Sequence, residues 1–139
     1  MSTILNRAAI LAANDLSTET VEVPEWGGAV ILRTMTGTQR DAYETSLMTK
    51  DAAGRYTVDT ENMRAKLVIF TAVDKTGTPV FTLDDLGALA GKNAAVIERL
   101  FVTAQRINGL AKDAVADAEK NSVSGQSDAS ASDSPQPSA

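Results

Sequence analysis

Residues 20–35 read Thr20-Val21-Glu22-Val23-Pro24-Glu25-Trp26-Gly27-Gly28-Ala29-Val30-Ile31-Leu32-Arg33-Thr34-Met35, and the reading of this stretch decides the fold class. Thr20 to Val23 alternates polar and apolar side chains, the period of a half-buried strand. Ala29 to Met35, with Val30, Ile31 and Leu32 at its centre, is a second extended run. Between them Pro24 fixes φ, and the Gly27-Gly28 pair permits the positive φ of a chain reversal. Two strands joined this way are expected to form a β-hairpin.

Toward the C-terminus helical signals take over. Thr36 and Gln39 have the spacing of a capping box. A helix is expected from there to about Thr49, burying Tyr43 and Leu47, with Met48 a further candidate. Asp51 to Val58 reads as a loop. Thr60 to Val73 is apolar nearly all round after its first turn and is expected to be the central, most buried helix. The β-branched content of Leu67–Val73 keeps a strand there as the alternative. Asp74 to Pro79 is turn chemistry, and Val80-Phe81 a brief extended segment. Thr82 then caps a short helix over Leu83–Ala90, with Asp84 and Asp85 near its positive end. Gly91 falls at its C-terminal cap.

Asn93 starts the best amphipathic helix, with Val96, Ile97, Leu100, Phe101, Ala104 and Ile107 at i, i+3, i+4 spacing. Asn108-Gly109 stops it, and Leu110 is placed to pack back across a Schellman-type end.

Two segments lie outside this frame. Ile4, Leu5 and the run Ala8–Ala12 suggest a short N-terminal helix ending near Asn14. At the other end Lys112 to Lys120 reads as a last, polar helix of low stability. Residues 121–139, NSVSGQSDASASDSPQPSA, contain seven serines, two prolines and one large aliphatic residue. Such a stretch cannot bury enough apolar surface to offset the entropy of ordering, so it is expected to be disordered. The expected fold is α+β: an N-terminal β-hairpin, then a mostly helical domain, then a disordered C-terminal tail. The expected division is an arm over 1–15, a domain over 16–120 and the tail over 121–139.

Composition narrows the chemistry. The 139 residues include no Cys and no His. This removes Cys nucleophiles, Cys or His zinc ligands, disulfides and an imidazole base. The net charge of −5 argues against a nucleic-acid surface and against an anionic membrane. No apolar run approaches the roughly 18 residues of a spanning helix.

One motif imitates catalysis. Asp74-Lys75-Thr76-Gly77-Thr78 coincides with the phosphorylation motif of P-type ATPases, where the Asp accepts phosphate. The continuation differs, however, since Pro79 and Val80 replace the aliphatic residue and Thr of that family. A chain this short also lacks the family's later magnesium-binding segment. A polar turn is the simpler reading, and Asp84-Asp85 is more simply explained by a helix dipole than by a metal. Asp113, Asp117 and Glu119 read as a solvated face rather than a cation site. No catalytic, cofactor or metal-binding residue is expected. The candidate partner-binding residues are Ile4, Leu5, Leu11 and Trp26. Trp26 is either an exposed anchor or cover for the end of the hairpin core. The N-terminal helix serves self-association or client contact, or else packs on the domain.

The order of features resembles the tail assembly chaperones of long, non-contractile-tailed bacteriophages and prophages. The resemblance begins with Leu16-Ser17-Thr18-Glu19 and Val21-Glu22-Val23-Pro24-Glu25-Trp26-Gly27-Gly28. It continues through Val30-Ile31-Leu32-Arg33, Met35 to Asp41, Ala65-Lys66-Leu67-Val68, Val73-Asp74, Gly77 and Phe81-Thr82, and ends with Ala104-Gln105-Arg106-Ile107-Asn108-Gly109-Leu110. It implies a non-enzymatic protein that binds the tape measure protein and keeps it soluble while tail tube subunits polymerise around it. It further implies a short, non-frameshifted form, a longer frameshifted form that recruits the tail tube protein, and a possible homo-oligomer. The expected place of action is the host bacterial cytoplasm, with no copy in the mature virion. The alternative is a structural tail or head–tail joining component.

Overall fold

The computed structural model describes residues 2–110. The expected polar helix over 112–120 and the Ser-rich tail lie outside the described residues.

In chain order the elements are α1 (Arg7–Ala12), β1 (Thr18–Val23), β2 (Gly28–Arg33), α2 (Gly37–Ser46), β3 (Met48–Lys50), β4 (Tyr56–Val58), α3 (Met63–Thr71), β5 (Ala72–Val73), α4 (Leu86–Ala90) and α5 (Ala94–Ile107). Single 3-10 turns occupy Pro24–Trp26 and Leu83–Asp85. The fold is α+β, with strands first and helices after, as the sequence indicated.

The hairpin forms as expected, with Thr18 opposite Arg33 and Val23 opposite Gly28. Its turn needs a single left-handed residue, Gly27 at φ 78°, while Gly28 already belongs to β2. Opposite residues share a sheet face, and faces alternate along a strand. Val21, Val23, Val30 and Leu32 therefore face the core, and Ala29, Ile31 and Arg33 face away from it.

The sheet gains a third strand that the sequence showed only as an alternative. The central helix stops at Thr71, where the hydroxyl donates back to the Leu67 carbonyl at 2.7 Å. Ala72 and Val73 then leave the helix and pair antiparallel with Leu32 and Ile31. The expectation of one helix over Thr60–Val73 is corrected at both ends, to Met63–Thr71, and the strand alternative holds for Ala72 and Val73 only.

A second correction concerns 48–58. The helix expected to reach Thr49 ends at Ser46, and a small second hairpin, β3 with β4, replaces the expected loop. Asp51 makes its turn, its carboxylate accepting from the Ala53 and Arg55 amides at 2.9 Å. Met48, at the start of β3, is 43% exposed instead of buried.

The core gathers where α5 lies across β1 and β2 and where α3 packs between α5 and α2. Leu32, Leu67, Val68, Val96 and Leu100 are fully enclosed. Tyr43 meets Phe70 edge-on, with ring centroids 6.0 Å apart. Burial pushes the Tyr43 phenol up to about 12. Lys66, on the otherwise apolar α3, is also buried and donates to the Ser46 carbonyl at the end of α2 at 2.8 Å.

The expected stop of α5 is realised in full. Gly109 turns left-handed at φ 66°, its amide donates to the Arg106 carbonyl, and the Leu110 amide donates to the Gln105 carbonyl. This is the paired bonding of a Schellman end.

Candidate interaction surface

Trp26 closes the 3-10 turn between the two long strands and remains 36% exposed. Its neighbour Glu25 ties this turn to the helical layer. Arg99 of α5 donates two bonds to the Glu25 carboxylate, at 3.0 and 2.7 Å. This fork, chiefly its hydrogen bonds, lowers the Glu25 carboxyl to about 2. The turn that carries Trp26 is thereby held against the first half of α5.

Two grooves meet at Trp26. One, of about 470 Å³, runs to α4 past Phe81, Asp85, Ala88, Leu89 and Lys92. The other, of about 340 Å³, crosses the outer sheet face over Ala29, Ile31 and Val73 toward Val80. Both are bordered by Trp26 and Phe81, so the two adjoin in a channel from the sheet's outer face to α4, largely apolar but with Glu25, Asp85 and Lys92 at its α4 end.

Sequence reasoning singled out Trp26 but missed the rest of this channel. A signal was present: Ala29-Val30-Ile31-Leu32 is apolar on both strand faces, the pattern of a strand covered on two sides rather than one.

The other three candidates lie on the arm before the hairpin. α1 is capped by Asn6, which accepts from the Ala9 amide at 2.9 Å. Ile4 is 91% exposed, Leu5 56% and Leu11 67%, and Ile10 joins them at 55%. None of residues 2–15 is buried. The arm therefore does not pack on its own domain, which was one of the open readings. The structure does not bring these residues together with Trp26 in one chain's site.

The ATPase-like motif is a closed turn. Asp74 Oδ1 accepts from the Thr76 amide at 2.8 Å, the Thr76 hydroxyl at 2.7 Å and the Thr78 amide at 3.0 Å. These bonds, the Thr76 hydroxyl first, hold its carboxyl below the usual aspartate range. The Gly77 carbonyl accepts from Arg33 at 2.9 Å, which pins the turn to the outer sheet face. Asp85 is similarly engaged, its carboxylate accepting from the Thr82 amide at 2.9 Å in a capping box. Among the described residues no cluster of three or more acidic side chains could hold a metal ion. Among them, too, no helix is long and apolar enough to cross a membrane.

Residues 5–121 match the phage tail assembly chaperone family. The chain belongs to that family. Among solved structures it is similar to that of the bacteriophage HK97 tail assembly chaperone, with 24% sequence identity and a TM-score of 0.49. The match covers 73% of this chain and 92% of that one. No curated protein sequence matches. In a tail assembly chaperone, partners are tail proteins, and the surfaces just described are apolar areas available to meet one.

Proposed function

We propose that this chaperone binds the tape measure protein and keeps it soluble while tail tube subunits assemble around it. It does so without catalysis. The observation that carries the reading is the arm: four large aliphatic side chains, Ile4, Leu5, Ile10 and Leu11, stand uncovered in a member of an assembly-chaperone family. Apolar side chains of this kind suit a partner that offers an apolar helix face. Trp26 supplies an aromatic anchor of the type enriched at binding hot spots. The division into an arm (1–15), a chaperone domain (16–120) and a Ser-rich tail (121–139) belongs to the same reading. So do action in the host cytoplasm, absence from the virion, and recruitment of tail tube protein by a longer frameshifted form.

Co-expression with the tape measure protein tests it. The full chain is expected to raise the soluble fraction of that protein and to co-purify with it. Deleting residues 2–14 should reduce both several-fold. A tape measure protein equally insoluble with and without the full chain would overturn the reading. Abundant peptides of this chain in purified virions would instead favour a structural tail component.

A further inference from the structure

Asn108-Gly109 is the only place in the chain where Gly follows Asn. The pair carries a chemistry of its own. Gly109 has no Cβ to shield its amide nitrogen. That nitrogen can reach the Asn108 side-chain carbonyl carbon, Cγ, whenever the backbone between them is free to rotate. Attack there closes a five-membered imide at the expense of the side-chain amide.

In the folded chain this reaction is blocked by geometry, not by burial. Asn108 is half-buried and Gly109 is exposed, so water reaches the pair. Ring closure requires Cβ of Asn108 to eclipse the Gly109 nitrogen about the Cα–C bond. Asn108 has φ −95° and ψ 4°. At a ψ this close to zero its own backbone nitrogen holds the eclipsed position, and the tetrahedral Cα turns Cβ away. Both ends of the side chain are also engaged. Nδ2 donates to the Ala104 carbonyl at 2.9 Å, and Oδ1 accepts from the Met35 amide at 2.7 Å. The attacking nitrogen is occupied as well, since the Gly109 amide donates to the Arg106 carbonyl at 3.2 Å. Leu110 fastens this end: its amide donates to the Gln105 carbonyl at 2.9 Å, and its side chain packs on the core.

We propose that Asn108 is a site of spontaneous deamidation, held shut by the Schellman end of α5 and released when that end and the Met35 bond open together. Helix ends open locally without global unfolding. The Gly109 nitrogen then gives its proton to solvent base and bonds to Asn108 Cγ. The Cγ–Nδ2 bond breaks, and the leaving nitrogen takes a proton from water and departs as ammonia. Water next cleaves one of the two ring C–N bonds, leaving aspartate or isoaspartate, with nothing oxidised or reduced. The product does not restore the closed end. An ionised carboxylate has no N–H to return to the Ala104 carbonyl. It also places negative charge at the negative end of the helix dipole. Isoaspartate adds a backbone atom ahead of Gly109 and breaks the register of the Schellman bonds. A chain that has opened here is thereby marked permanently. The reaction goes beyond client binding and requires no client.

Peptide mapping tests it. The full chain is incubated without client in mildly alkaline buffer, either folded or unfolded in guanidinium chloride, and then digested with trypsin. Cleavage after Arg106 and Lys112 isolates residues 107–112, in which Asn108 is the only amide side chain. Mass spectrometry then reads the change from amide to acid, and chromatography separates aspartate from isoaspartate. Loss of Asn108 is expected to be roughly tenfold or more slower in the folded chain than in guanidinium. Leu110→Ala loosens the helix end but leaves the Asn-Gly pair intact. It should raise the folded-chain rate several-fold and leave the rate in guanidinium unchanged. Leu110→Val, a smaller truncation, carries the same test should Leu110→Ala not fold. Equal rates in buffer and guanidinium would overturn the proposal, as would an Asn108 that stays intact in guanidinium. So would a folded Leu110 variant that loses Asn108 no faster than the native chain.

Discussion

Asn108 shows how much one side chain contributes beyond its local role. It ends α5, and its amide nitrogen donates to the Ala104 carbonyl at 2.9 Å. Its oxygen meanwhile accepts from the Met35 amide, 73 positions away, at 2.7 Å. It therefore ties the exit of β2 to the end of the last helix. The helix stop was legible in Asn108-Gly109, but the tie was not, because no local pattern encodes a partner so distant. Asn108→Ala leaves the Met35 amide unpaired and is expected to cost about 1–3 kcal/mol in chemical denaturation. Lys66 was invisible for the same reason, since its partner is a backbone carbonyl on another element.

Glu25 gives a pH signature at this scale. Its folded value, about 2, lies below its ordinary 4.5 because Arg99 stabilises the carboxylate. A depressed acid contributes stability that is fully present above its unfolded value and is lost as the pH falls through the folded one. The stability difference between the native chain and Glu25→Gln should thus be constant above about 4.5 and shrink as the pH approaches about 2. Both partners are solvent-exposed, so added salt should diminish it at every pH.

Elements were legible where their ends carry chemistry. Thr36 and Gln39 exchange both bonds of the capping box, at 3.1 and 2.9 Å, so α2 begins where the sequence placed it. Thr36→Ala should lower stability by about 1 kcal/mol, measured as a shift in the urea midpoint at constant m-value. α5 is equally well marked, with Asn93 accepting from the Ala95 amide at 2.8 Å and the Schellman end closing it. The failures were short strands. β3 and β4 have three residues each and β5 has two, too few for a period to show. β5 in particular exists only because β2 offers an edge to Ala72 and Val73.

For the whole molecule, the enclosed core and the exposed apolar arm separate along the chain. The enclosed core runs through Leu32, Leu67, Val96 and Leu100, all at 0% exposure. Leu100→Ala should cost about 2–5 kcal/mol through lost burial and the cavity it leaves. Deleting residues 2–14 removes no buried side chain. Its thermal midpoint should therefore match that of the full chain when both are measured dilute, where association does not contribute. A large loss of stability on deletion would mean that the arm supports its own domain after all.

The α+β class, the long hairpin, the caps of α2 and α5, and the amphipathic face that α5 buries are all written in local sequence. These follow from interactions within a few residues, which periodicity and capping chemistry encode directly. The sequence also carried the features by which the family was recognised. The second hairpin is local, but its three-residue strands are too short for a period to show. The third strand and the buried Lys66 were decided only by tertiary structure, because each depends on a partner on another element far along the chain. The Trp26–Phe81 channel belongs with them. It arises where the hairpin turn, the outer sheet face and α4 converge, and no single segment of the sequence contains it.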